Sequence, residues 1–202
     1  MLSAEEQDRI ALAIRDAETL TTGEIVVVVA GQASRYRTLP LLAALAGALA
    51  TPWPLIALTA LSASRIFLIQ TLVALALALV TLHPSVRLKL APRWLKRERG
   101  HEAARREFAA RGLTRTRGRT GVLVYVAVAE RYAEVLPDAG ISERVDPGVW
   151  RATIEELVSA LTRGEAADGL LRAVTRVGAI LAEHAPATAD EADELPNRVI
   201  VI

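Results

Sequence analysis

The sequence predicts an α/β fold interrupted by a two-helix transmembrane hairpin. Three observations predict it. Residues 38–64 and 66–86 contain no Asp, Glu, Lys or Arg, and Arg65 is the single charge between them. The β-branched runs at residues 25–30 and 121–128 are apolar on both sides, as strands in the middle of a sheet are. Around these runs lie stretches whose apolar residues recur at helical spacing.

The first helix is expected over residues 3–20. Ser3 and Glu6 form a capping box, in which each side chain satisfies the other's backbone donor. Ile10, Ala13, Ile14 and Ala17 then share one face. Thr21-Thr22-Gly23 ends the helix, and Glu24 opens the first strand.

A helix needs about 20 apolar residues to cross a hydrocarbon core of about 30 Å, and each uncharged run is long enough. A soluble helix keeps a polar face, whereas Leu39–Ala60 and Ile66–Leu82 have only Thr, Gln and Ser as polar interruptions. Pro40, Pro52 and Pro54 fall in the first run, so a kink is expected near residues 51–54. The hairpin turn is expected at Ser62–Arg65 in preference to Pro52–Pro54. The second choice would draw Arg65 into an arm, at about 2.5–3.5 kcal/mol near the bilayer centre.

Flanking charge sets the orientation. Arg35 and Arg37 precede the first run, and Arg87, Lys89, Arg93, Lys96, Arg97 and Arg99 follow the second. Cationic flanks stay cytoplasmic, so both termini are expected on that side of a cell's inner membrane. Residues 87–119 carry 12 Lys/Arg against 3 Asp/Glu, while residues 120–202 carry 7 against 14. The basic block is read as contacting anionic headgroups, each cation contributing about 1 kcal/mol. Nucleic acid is not an expected partner, because no aromatic platform accompanies the charge.

Beyond the hairpin, a surface helix is expected over residues 93–111, with Trp94, Leu95, Ala104 and Phe108 facing the bilayer or the domain. A linker covers residues 112–120. The second strand follows, then a tight turn at Glu130-Arg131 into an antiparallel third strand at 132–136, stopped by Pro137-Asp138-Ala139-Gly140. Asp146-Pro147-Gly148 starts a helix with the stripe Trp150, Ile154, Leu157, Val158 and Leu161, closed by Gly164. Trp150 reads as core, or else as an exposed anchor. A last helix spans residues 165–184, with Leu170, Leu171, Val174, Val177 and Leu181 inward. Residues 186–194 form an acidic Ala/Pro-rich tail expected to be mobile, and residues 197–202 are strand-like.

The strand at 25–30 needs a neighbour, and 122–128 is the expected one. The hairpin is then an insertion within one domain. The expected segments are residues 1–37 and 121–202 as two parts of that domain, 38–86 as the hairpin, and 87–120 as a basic juxtamembrane helix and linker.

Several chemistries are excluded. With no Cys there are no disulfides, thiolate nucleophiles or Cys-based zinc sites. No P-loop, Gly-x-Ser-x-Gly or His-Glu-x-x-His motif occurs. No cleaved signal peptide is visible at the acidic N-terminus. His83, His101 and His184 are scattered and read as surface or interfacial residues.

The order of pieces resembles the TPM-domain family. The carriers are Thr22-Gly23-Glu24-Ile25-Val26-Val27-Val28, Arg119-Thr120-Gly121-Val122-Leu123-Val124-Tyr125-Val126, Ala129-Glu130-Arg131 and Asp138-Ala139-Gly140-Ile141. Gly169-Leu170-Leu171-Arg172-Ala173-Val174 and Glu194-Leu195-Pro196-Asn197 add to them. The resemblance implies a sandwich with a mixed β-sheet flanked by helices. It implies a membrane-associated protein serving quality control or assembly of membrane proteins, with a membrane protein as partner. It also implies, for some relatives, weak acid phosphatase activity with a divalent cation, calcium or magnesium, held by acidic residues near strand ends. This chain has Glu130-Arg131 where many relatives have Asp-Arg. It ends its first strand in Val29-Ala30-Gly31, without a carboxylate.

The candidate site residues are Glu130, Arg131 and Asp138, which bracket the second and third strands where ligands gather in α/β sheets. Glu130 and Asp138 offer hard oxygen ligands for a shared ion, joined by Asp168, and Arg131 a phosphate partner. The blander reading makes Glu130-Arg131 a polar turn, Asp138 a cap and Asp168 a helix-dipole partner. Glu24 reads as opening its strand, and Arg119 and Thr120 as linker residues pairing with local acids.

Overall fold

The computed structural model describes residues 2–188 and 195–202. In chain order, α1 (Ala4–Glu18) and β1 (Ile25–Ala30) precede four helices, α2 (Leu39–Ala50), α3 (Pro52–Leu58), α4 (Ala63–Leu82) and α5 (Pro84–Leu90). Then come α6 (Arg93–Ala110), β2 (Val122–Ala127), β3 (Tyr132–Pro137), α7 (Ala139–Ser142), α8 (Pro147–Arg163), α9 (Ala166–His184) and β4 (Val199–Val201). Two compact units result. One joins Met1–Ala33 to Lys96–Ile202, and the other is Ser34–Leu95.

The first unit is built on a mixed sheet of order β3-β2-β1-β4. β1 runs parallel to β2, in register from Ile25 opposite Val122 to Ala30 opposite Ala127. It also runs parallel to β4, with Val27 opposite Val199. β2 and β3 are antiparallel, with Ala127 opposite Tyr132 and Val122 opposite Pro137. All six residues of β1 and all six of β2 are buried. Burial on both faces explains their unbroken apolar runs, since a strand with one wet face alternates.

Alternate residues feed two cores. Val27, Val29, Val124 and Val126 face α1, α8 and α9, where Ile10, Ile14, Leu157, Leu170, Val174, Val177 and Leu181 close the layer. Val26, Val28, Leu123 and Tyr125 face α6, through Ala103 and Ala104, and Leu113 just beyond it. Small residues on α6 let its backbone approach the sheet. The helix ends at Gly112, whose φ of 77° lies in the left-handed region open to glycine, and Leu113 then enters the core fully buried. Trp150 is core, at 6% exposure. The capping box of α1 is present, with Glu6 N donating to Ser3 Oγ at 3.2 Å and Ser3 N to Glu6 Oε2 at 2.7 Å.

Some details differ from the sequence reading. Pro84–Leu90 and Ala139–Ser142 form short helices, the second because Asp138 caps it through the Ala139 amide. Of the acidic tail at 186–194, residues 189–194 lie outside the described residues, while Pro186 bridges to Thr21 and Ala187 N donates to Leu20 O at 3.2 Å.

In the second unit, α2 and α3 form a single 20-residue apolar stretch from Leu39 to Leu58, and α4 forms another of 20 residues. The seam falls at Thr51, because Pro52 and Pro54 have no N–H to continue the ladder. The hairpin turn lies at Thr59–Ser62, just ahead of the expected position. Arg65 therefore sits in the first turn of α4. α2 packs on α4 with Gly47 against Leu77: a Cβ at Gly47 would stand 2.2 Å from Leu77 Cδ1. At the open end, Arg87 Nη1 donates to the carbonyl of Arg35 at 3.0 Å, so both flanks of the hairpin meet there.

Candidate functional site

The β2–β3 hairpin carries the predicted acidic residues. Its turn runs from Val128 to Arg131, with Arg131 N donating to Val128 O at 3.2 Å and Arg131 at φ 51°. Both carboxylate oxygens of Glu130 accept from the Ala33 amide, at 3.2 and 3.1 Å. Glu130 thus holds the loop leaving β1, at the carboxyl ends of the two parallel strands. Arg131 is exposed beside it.

Asp138 is at the other end of the hairpin, 5% exposed. Its Oδ1 accepts from Arg119 Nη2 at 2.9 Å and from Ala139 N at 2.7 Å, and its Oδ2 accepts from Arg119 Nε at 3.3 Å. Arg119 has φ 51°, and its carbonyl accepts from Gly140 N at 3.0 Å. Only glycine fits there, since a Cβ at Gly140 would meet Gly118 O at 2.3 Å. The sequence reading of Arg119 as a partner for a local acid matches this pair.

The structure does not bring the acidic candidates together. The six residues of β3 separate Glu130 from Asp138 by roughly 20 Å at about 3.4 Å per residue. One calcium or magnesium ion holds its oxygens at about 2.0–2.6 Å, so it cannot join them. Asp168 is elsewhere again, in the first turn of α9, 3.7 Å from Arg9 in an exposed ion pair. Among the described residues, no group of three or more His, Asp or Glu is placed to hold a metal. Glu130, Asp138 and Asp168, placed as they are, do not converge on one shared ion. The antiparallel reading of the hairpin already contained this result: a residue in the turn and one past the return strand lie at opposite ends.

The cationic candidates lie on consecutive helices. Arg87 and Lys89 are on α5; Arg93, Lys96, Arg97 and Arg99 are on the first two turns of α6. Arg99 pairs with Glu102 at 2.8 Å. Lys89, Arg93, Lys96 and Arg97 make no ion pair among the described residues and remain available to an external anion.

Sequence reasoning missed a polar cluster under α6. His101 Nδ1 lies 2.8 Å from Glu134 Oε1, and Tyr132 donates its hydroxyl to Glu134 Oε2 at 2.6 Å. The available signal was Glu134 itself, a carboxylate between Tyr132 and Leu136 on a strand face otherwise turned to the core. Burial, and then the bond to Glu134, push the Tyr132 phenol well above its usual pKa. Burial, helped by Glu130 and Glu107, pushes Tyr125 up to about 12.

Residues 87–180 match the family model of the TPM domain. Over this stretch the chain is similar to a TPM domain. The matched stretch runs from α5 into α9, so it contains β2 and β3, while β1 lies before the hairpin. The NMR structure of BA42 protein from the psychrophilic bacteria Bizionia argentinensis sp. nov. superposes with a TM-score of 0.62 at 22% identity, covering 100% of this chain and 95% of that one. That likeness is one of fold, and it agrees with a TPM-like mixed sheet between helices. No curated protein matches the chain. Two apolar helices long enough to cross a membrane separate α1 and β1 in sequence from the matched stretch, whose strands share their sheet.

Proposed function

We propose that the chain is a two-span protein of the inner membrane, with both termini cytoplasmic, whose TPM domain is an interaction module for quality control or assembly of other membrane proteins. The observation that carries this reading is the exposure of the hairpin. None of the most apolar window of Leu39–Leu58 is buried, and only 6% of that in Ala63–Leu82. Trp53 is 78% exposed and Leu58 82%. In water this surface would be an apolar patch far larger than monomeric proteins tolerate; in lipid it is the expected face.

Two further features support lipid as the solvent. Thr51, Thr59, Thr71 and Thr81 each donate their hydroxyl to the carbonyl four residues earlier, so these polar groups need no water. The Arg87–Arg35 contact gathers the basic flanks at one end of the hairpin. The cations of α5 and α6 then favour anionic headgroups and a cytoplasmic location.

The test is a set of reporter fusions in a bacterial host. Reporters before Met1 and after Ile202 should both read cytoplasmic, and one inserted at Ser62 should read the opposite side. A protein that stays monomeric in buffer without detergent would overturn the proposal. The alternative, a weak divalent-metal-dependent acid phosphatase using Glu130, Arg131 and Asp138, has less support, because those acids are held at opposite ends of β3.

A further inference from the structure

We infer that a groove between α6 and the distal half of β3 binds a small amphipathic carboxylate, a single carboxylate on an apolar body. This goes beyond the proposed function and does not depend on it. The groove has a volume of about 460 Å³. That falls within the range of about 300–1,000 Å³ typical of small-molecule sites. Phe108, Leu136 and Pro137 supply an apolar lining, and His101, Arg105 and Arg119 supply the polar one.

Charge decides the ligand class. Arg119 is taken by Asp138. Arg105 is exposed and makes no ion pair among the described residues. The groove therefore holds one uncompensated guanidinium, whose planar fork matches a carboxylate. Asp138 lines the same groove and Glu134 stands behind His101. Two carboxylates so near disfavour a doubly charged anion such as a phosphate monoester, and one guanidinium offsets only a single charge.

His101 is oriented rather than loose. Tyr132 holds Glu134, and Glu134 holds His101 Nδ1, which leaves Nε2 for the groove. A ligand carboxylate on the Arg105 guanidinium would lay its apolar body on Phe108 and Leu136, with the His101 ring at its side.

The experiment titrates 4-phenylbutyrate into the full-length protein in lipid nanodiscs and follows the Arg105 Nε–H and His101 imidazole NMR signals. Saturable shifts are expected, half-complete at or below roughly 1 mM. Arg105→Gln should weaken binding at least about fivefold through loss of the charged hydrogen bonds. Ala109→Trp, at an exposed position lining the groove, should abolish binding by filling the space and keeps the test open if the first variant folds poorly. The neutral 4-phenylbutyramide should bind about tenfold more weakly. Shifts that never saturate, that are equal for the amide, that survive both variants, or that are confined to the apolar helices would each overturn the inference.

Discussion

The backbone of Gly100 in α6 lies directly against the ring of Tyr132 in β3. A Cβ at Gly100 would stand 2.5 Å from Tyr132 Cδ1. The ring cannot simply move away, because its hydroxyl is fixed on Glu134 at 2.6 Å. Gly100→Val should therefore destabilise the domain by about 1–3 kcal/mol, the usual cost of overpacking. The few tenths of a kcal/mol gained in helix propensity are too small to offset it. Urea midpoints of wild type and variant measure the difference, and equal midpoints would show that α6 can shift freely.

Asp138 offers a separation of roles. Asp138→Ala removes the acceptor for the Ala139 amide and should cost about 1–3 kcal/mol. Asp138→Asn keeps the acceptor for the Ala139 amide and loses the charge and the Oδ2 bond toward Arg119. That side chain is 57% exposed, so the loss should be about 0–1 kcal/mol. Thermal unfolding of both variants, with and without millimolar calcium, checks this. Calcium should leave the melting temperature of all three proteins unchanged, and a shift lost in both variants would restore a metal role for Asp138.

Tyr125 predicts alkaline behaviour. Its folded pKa is raised from 10 to about 12, so the folded state holds the phenol proton more tightly than the unfolded chain. The contribution is whole below the unfolded value of about 10, and it is lost as pH climbs through the folded value of about 12. At about 1.4 kcal/mol per unit, the full loss is about 3 kcal/mol. Stability should fall from about pH 10 upward, in step with phenolate absorbance, and Tyr125→Phe should remove part of that decline, the rest belonging to Tyr132. An unchanged alkaline limb in the variant would assign the loss to other groups.

Gly47 predicts the state of the hairpin. Without a hydrophobic force between helices in lipid, close approach depends on small residues at the contact. Gly47→Ile places a branched side chain where Leu77 already sits. The distance between labels on α2 and α4, measured in bilayers, should increase in the variant. The labels are readily placed, since the chain contains no cysteine of its own.

The legible parts of this molecule were those with a single physical explanation. Val26 to Val29 and Leu123 to Val126 could only be doubly buried strands, because nothing polar interrupts them. Ser3 and Glu6 named the start of α1, and Gly164, at φ 83°, named the end of α8. The hairpin was visible because lipid demands length and apolarity without a wet face. Pairings across the fold left weaker traces. His101 and Glu134 are 33 residues apart and meet only because α6 lies over β3, a relation no local pattern encodes. Glu130 looked like a ligand because carboxylates at strand ends often are. Its bond to the Ala33 amide, 97 residues away, gives it a structural occupation instead.

The position of β1 between β2 and β4 fixes the timing of the protein's birth. Ile25 must wait for Val122, and Val27 for Val199, before either flank of the strand is satisfied. A ribosome adding about 5–20 residues per second makes the first wait roughly 5–20 s. Throughout that interval an uncovered, β-branched segment has emerged while the apolar helices behind it are being delivered. A nascent chain of this kind depends on a chaperone or on rapid targeting, and slowing its delivery should show up as aggregation seeded at Ile25–Ala30.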